Sequence, residues 1–213
     1  MPRRPEPPTR VVLVRHGQTP TTGKLLPGRA PGLHLSDTGR RQAEAVAARL
    51  AELKTIDAIY ASPLERARET AAPAAKARKM RVQIDKSLLE CDFGDWTGAE
   101  LAKLYKLPEW TAVQRYPSGF RFPNGESFTE MQTRMVSGVA NLVERHRGGT
   151  VVCFSHADPI KALVAHALGT HLDLFQRIVI STCSATVIAY GRSSASVLTV
   201  NSTGGSLSEL VPS

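Results

Sequence analysis

No stretch of this 213-residue chain strings together the roughly 20 apolar residues that a bilayer-spanning helix needs. Met1–Arg10 is proline-rich and charged with no apolar segment, and it reads as a disordered lead-in and not as a secretory signal. Cysteine is scarce. Cys91, Cys153 and Cys183 are odd in number and widely spaced, with no metal-type or C-x-x-C pairing. Cys153 falls within an apolar strand-like run, which is the setting of a buried free thiol. Aromatic residues make up only 6%, and the net charge of +8 comes from basic residues scattered along expected helices (Arg40, Arg41, Arg49, Arg66, Arg68, Lys76, Arg78, Lys79). With neither a stacking platform nor a dense basic block, nucleic acid is a poor fit as partner. No G-x-G-x-x-G follows the first apolar run, which removes the dinucleotide-binding reading. On these absences a cytoplasmic globular protein is expected, whose positive field favours anionic partners without specifying which.

What is present is an alternation of strand-like and helix-like segments. Hydrophobic residues are 42% of the chain, enough for a full core. Val11–Val14 reads as a strand, followed by a long polar loop with Gly23, Pro27, Gly28, Pro31 and Gly32, too long for a mere connection. Helical spacing begins near Thr38 with Ala43, Val46, Ala47, Leu50 and Leu53 on one face. A strand at Ile56–Ala61 precedes a helix over Leu64–Lys76, which Pro73 is expected to kink or break. Met80–Ile84 is a third strand, Leu88–Gly98 is turn-rich, and Lys103–Pro123 carries short helical pieces. A long helix starts after Asn124–Ser127 and ends at Gly148-Gly149. Thr150–Phe154 has the look of a central strand, followed by a helix through Ile160, Leu163, Val164, Ala167 and Leu168. Asp158 is expected to cap that helix, with Pro159 at its first position. Ala185–Tyr190 and Ser196–Val200 close the chain as an antiparallel pair. The pattern predicts a three-layer αβα sandwich, mostly parallel with an antiparallel C-terminal pair, as one domain over 11–213 after the lead-in of 1–10. A homodimer through a helix face or the terminal hairpin is compatible with this arrangement.

Ligands of such sheets bind beyond the carboxyl ends of the strands. Arg15-His16-Gly17 stands at one such end and Ser155-His156 at another. An arginine fork can hold a phosphate, and a neutral histidine can attack phosphorus or move protons. Arg66 lies about one turn into the helix after the second strand, where it could point back to the same edge or out to water. In Leu89–Gly98, a carboxylate beside aromatics could have a raised pKa and protonate a leaving oxygen. Asp92 and Asp95 compete for that role on spacing alone, and either could cap a turn. His34, His146, His166 and His171 share no partner and read as surface or packing residues.

Six ordered blocks carry a specific resemblance: Arg15-His16-Gly17, Thr38-Gly39-x-x-Gln42-Ala43, Ser62-Pro63-Leu64-x-Arg66-Ala67, Glu90-x-x-Phe93-Gly94-x-Trp96-x-Gly98, Gly125-Glu126-Ser127 and Ser155-His156. The chain resembles the histidine phosphatase superfamily, in its phosphoglycerate-mutase-like branch, from Val11 to about Leu168. The resemblance implies that His16 accepts the phosphoryl group and that Arg15, Arg66 and His156 surround it. It implies that Glu90 protonates the leaving alcohol and then activates water. Gln18 and Thr22 stand where many relatives carry glutamate and asparagine, and Ala157 where glycine is frequent. Gln18, Thr22 and Ala157 are expected to contact the phosphate and tune specificity. The implied reaction is hydrolysis of a small phosphorylated metabolite with release of inorganic phosphate, without metal or cofactor. A cofactor-dependent phosphoglycerate mutase is the alternative, and a non-catalytic phosphate-binding module a more distant one. The modest segment between Glu90 and His156, with apolar walls from Leu101, Leu104, Tyr105, Trp110, Phe120 and Phe122, favours the phosphatase.

Overall fold

The structure, a computed structural model, describes residues 7–207. Strand β1 (Thr9–Arg15) leads into helix α1 (Asp37–Ala51), β2 (Ala58–Ala61), α2 (Glu65–Ala77) and β3 (Val82–Ile84). Two short helices, α3 (Leu101–Leu104) and α4 (Trp110–Arg115), precede the long α5 (Phe128–Arg145). Then come β4 (Thr150–Ser155), α6 (Ala157–Ala167), β5 (Ala185–Tyr190) and β6 (Ala195–Ser202). The six strands form one sheet in the order β3-β2-β4-β1-β5-β6. Pairings are parallel from β3 through β1, and β5 runs antiparallel to both β1 and β6.

Side-chain alternation along β1 explains the layering. Val12 and Val14 face the layer holding Val46, Leu50, Ala71 and Ala74 of α1 and α2. Val11 and Leu13 face the layer of Met135, Val139, Leu142, Ile160 and Leu163 from α5 and α6. A strand covered on both faces must be apolar throughout, which is why β1 and β4 read as continuous hydrophobic runs. The expected sandwich with its antiparallel terminal pair is therefore the architecture found. Among the described residues, no helix is long and apolar enough to cross a membrane.

Local boundaries depart from the sequence reading in informative ways. Thr9 and Arg10, assigned to the lead-in, belong to β1: Arg10 N–H donates to Gly149 O at 2.8 Å and pairs opposite Thr150. Of the rest of that lead-in, Pro7 and Pro8 are irregular and residues 1–6 lie outside the described residues. Pro73 does not break α2, because Ala71, Ala74 and Ala75 around it are buried in the shared core with α1. The long helix stops at Arg145 with His146 as its C-cap, ahead of the two glycines. Asp158 is not the N-cap of α6. That position belongs to His156, with extended backbone (φ −126°, ψ 171°) and no side-chain capping bond, so Ala157, Asp158 and Pro159 form the first turn.

Candidate active site

The site is built by sheet register. Arg15 of β1 pairs with Ser155 of β4, so His16 and His156 leave neighbouring parallel strands at the same level. Their ring centroids are 5.2 Å apart. On the other side of β4, Ala61 of β2 lies opposite Phe154, and Ser62 N–H donates to Phe154 O at 2.9 Å. Ser62 thereby reaches the same edge, and its hydroxyl lies 2.8 Å from His156 Nε2. Both partners are fully buried.

The tautomer of His16 follows from its neighbour. Nδ1 lies 2.8 Å from Gly17 O, and a carbonyl oxygen can only accept. Nδ1 therefore carries the proton and Nε2 keeps its lone pair. Burial, and the charges of Arg66 and Arg15 beyond it, hold the His16 pKa well below the ordinary histidine value. His156 is held low by burial too, with Arg66, His16 and Arg15 adding to the effect. Both imidazoles are neutral in the physiological range.

Two guanidiniums, Arg66 fully buried and Arg15 half-buried, complete the cationic wall. Arg66 has no exposed surface; its Nη2 donates to Gly28 O at 2.7 Å, while Nε and Nη1 have no partner among the described residues. Arg15 Nη1 donates to Ile180 O at 2.7 Å, and its Nε, like His156 Nδ1, is buried without a partner among the described residues. Buried donors without acceptors are costly, and a cluster of them on cationic groups has the chemistry of an oxyanion site.

Glu90 supplies the titratable carboxyl. Burial raises its pKa to about 7, helped by the charge of Asp158 and opposed by the Cys91 N–H bond to Oε1 (3.0 Å) and by Arg66 and Arg15. At neutral pH it is divided between acid and base forms, the condition for moving a proton in both directions. Its backbone is pinned: Glu90 O accepts from Arg29 Nε at 2.9 Å and from Arg134 Nη2 at 3.4 Å. Arg134 also binds Ser87 O and Leu89 O, and Glu126 holds both arginines at 2.9 Å. Asp92 and Asp95, the competing carboxylates, are used elsewhere: Asp92 pairs with Arg29 and accepts from Gly94 N, and Asp95 accepts from Asn124.

Thus Arg15, His16, Arg66, Glu90 and His156 come together, with Ala157 N–H on the uncapped first turn of α6. Gln18 is anchored through its backbone, N–H to Gln42 Oε1 and O to Ser36. The Thr22 hydroxyl accepts from Thr19 N–H at 2.9 Å and lies 3.0 Å from Thr19 Oγ1, stapling the loop internally. Sequence reasoning missed Ser62, although its place at the end of a strand on this edge was a usable signal. It also missed Thr70, whose hydroxyl accepts from Gly17 N–H and donates to Arg66 O, and the Glu126–Arg134 bracket, whose partners are remote in sequence.

The family model of the histidine phosphatase superfamily (branch 1) matches residues 11–203. The chain belongs to this superfamily. It is 36% identical over 201 residues to a bifunctional protein of Mycobacterium tuberculosis, covering 92% of this chain and 55% of that protein. The chain thus spans about half the length of that relative. Phosphoserine phosphatase 1 of Hydrogenobacter thermophilus is 30% identical over 192 residues, covering 84% and 85% of the two chains. The solved structure of a mycobacterial glucosyl-3-phosphoglycerate phosphatase superposes with a TM-score of 0.80 at 28% identity, covering 91% of this chain and 98% of the other.

Proposed function

We propose that this superfamily member hydrolyses small phosphate monoesters through a phosphoryl intermediate on His16. The observation that carries the reading is the tautomer of His16: Nδ1–H is committed to Gly17 O, which leaves an Nε2 lone pair among Arg15, Arg66 and His156. The phosphoryl oxygens take the free N–H groups of Arg15 and Arg66. Ser62 Oγ already accepts from Leu64 N–H (3.4 Å), so its own proton is available to His156 Nε2. His156 then presents Nδ1–H to the phosphoryl group, beside the Ala157 N–H at the α6 terminus.

His16 Nε2 attacks phosphorus, the bond from phosphorus to the alcohol oxygen breaks, and protonated Glu90 gives that oxygen its proton. A water then attacks phosphorus, Glu90 carboxylate takes the water's proton, and the P–Nε2 bond breaks to release inorganic phosphate and neutral His16. Fixed, desolvated cations provide the charge stabilisation that phosphoryl transfer requires. Since side chains supply that charge, turnover is expected to persist in a chelator. Relatives named as phosphatases of phosphoserine and of a glucosylated phosphoglycerate support phosphomonoester hydrolysis as the reaction class.

The test is a rapid quench into alkali, which preserves phosphohistidine, during turnover of a labelled phosphate ester. Label on the protein that is stable in base, lost in acid and absent from His16→Ala is the expected result. Full turnover by His16→Ala overturns the reading, and isomerisation of a phosphoglycerate without phosphate release favours the mutase.

A further inference from the structure

A cavity of about 180 Å³ lies next to the catalytic loops, with Phe93, Trp110, Phe122, Asp158, Lys161 and Gln176 in its lining. Its walls continue the chain segments that make the site. Phe93 is three residues past Glu90, and Asp158 two past His156. The Gly28 turn, which accepts from Arg66, packs so tightly here that a Cβ on Gly28 would stand 3.1 Å from the Phe93 ring. Asp158 is near enough to Glu90 and Arg15 for its charge to act on both.

The polar floor of this cavity is internally neutral. Lys161 Nζ lies 3.1 Å from Asp158 Oδ1 and 3.1 Å from Gln176 Oε1, and 5.9 Å from the centroid of the Phe175 ring. The Lys161 and Asp158 side chains are only 16% and 18% exposed. An ammonium has three N–H donors, so one remains after these two bonds, and the Asp158 carboxylate has a second oxygen to offer. A hydroxyl group both donates and accepts. It can therefore join this pair without leaving an unbalanced charge.

We propose that this cavity is the leaving-alcohol subsite and that it selects phosphate esters of neutral, polyhydroxylated alcohols, the chemistry of sugars and polyols. The assignment rests on the phosphatase reading above for the word "leaving" and extends it to a substrate class. Aromatic faces of Phe93, Trp110 and Phe122 suit the C–H side of such an alcohol, while Lys161, Asp158 and Gln176 suit its hydroxyls. An added carboxylate on the alcohol would meet Asp158, while Lys161, the cation among the residues lining the cavity, is already paired. A zwitterionic alcohol would have to pull the Lys161–Asp158 pair apart.

The deciding experiment is calorimetric binding of glucose 6-phosphate, 3-phosphoglycerate and phosphoserine to the His16→Ala protein, where no turnover intervenes. Competitive inhibition of the unmodified protein by the same esters gives a second measure that needs no substitution. The sugar phosphate is expected to bind about tenfold tighter than either charged competitor, the scale of one unpaired buried polar group. Lys161→Met and Asp158→Asn are each expected to shrink that gap to about twofold. Equal or inverted affinities overturn the proposal, as does a gap that survives both substitutions. Turnover of p-nitrophenyl phosphate by the unmodified protein tests the phosphatase reading separately: its absence would overturn that reading and leave the order of affinities to decide the subsite.

Discussion

The imidazoles of His16 and His156 lie 5.2 Å apart, centroid to centroid, because Arg15 and Ser155 pair in register on adjacent parallel strands. Neither ring is charged, yet the two guanidiniums of Arg15 and Arg66 act on both. In the proposed mechanism the pair combines a nucleophilic nitrogen with a hydrogen-bond donor, beside the positive charge of these two arginines.

His16→Ala should lower turnover by about 10³-fold or more, the scale seen when a covalent nucleophile is removed. Circular dichroism should show an unaltered fold, since the hydrogen bond of the His16 imidazole goes to the backbone of its own neighbour and its main-chain bond to Ser155 O is kept by alanine. Steady-state assays on p-nitrophenyl phosphate measure the loss.

Glu90→Gln tests the raised carboxyl. With protonated Glu90 as the acid of the proposed first step, kcat for alkyl phosphates should fall as pH rises through about 7 in the unmodified protein. The variant should lose that limb and about 10²–10⁴-fold in rate. Esters with activated leaving groups should suffer less in the phosphorylation step, which burst kinetics can isolate.

The same substitution has a stability signature of opposite sign. Because the folded-state pKa is raised from 4.5 to about 7, the carboxyl favours the fold below pH 4.5 relative to its ionised form, and that advantage is lost as pH climbs through about 7. Glu90→Gln removes the burial cost of the carboxylate. It should be more stable than the unmodified protein at pH 8, by on the order of 1–3 kcal/mol, and close to it at pH 4. Urea melts at the two pH values give both numbers.

Ser62→Ala should lower kcat about tenfold by freeing the His156 ring, at a stability cost of about 1 kcal/mol. As Ser62 acts by positioning His156, inhibition by inorganic phosphate should weaken in parallel, which a purely structural defect would not produce. Unchanged phosphate inhibition would remove Ser62 from this role.

Gly39→Ala should destabilise the protein by about 2–4 kcal/mol and impair turnover together. A Cβ at Gly39 would stand 2.0 Å from Gln18 O, and one at Gly17 only 2.6 Å from Gly39 O. The loop after His16 and the start of α1 are thus in backbone contact that no side chain can enter. Thermal denaturation beside activity at low temperature reads both effects.

Much of this molecule is legible before any coordinates. The apolar run of β1 ending at Arg15-His16, and that of β4 ending at Ser155-His156, identify two buried parallel strands whose ends share an edge, because full burial demands a continuous hydrophobic sequence. Helix periodicity located α1, α2, α5 and α6 to within a few residues. The misreadings arose where local signals compete with long-range ones. Asp158 followed by proline has a good capping signature, but the chain turns from β4 straight into α6, and the carboxylate pairs instead with Lys161 one turn on. Pro73 disfavours a helix locally, and the alanine packing around it overrides that preference.

Residue identity alone determined the layered αβα fold, the edge on which the site lies, and the set of cationic and imidazole groups able to handle a phosphoryl group. Only the tertiary structure decided which carboxyl titrates near neutrality, which His16 nitrogen is free, and that Ser62 orients His156. Those outcomes depend on burial and on hydrogen bonds between residues as far apart as Ser62 and His156, or Glu126 and Arg29. A pKa or a tautomer belongs to an environment, and that environment exists only once distant segments have packed together.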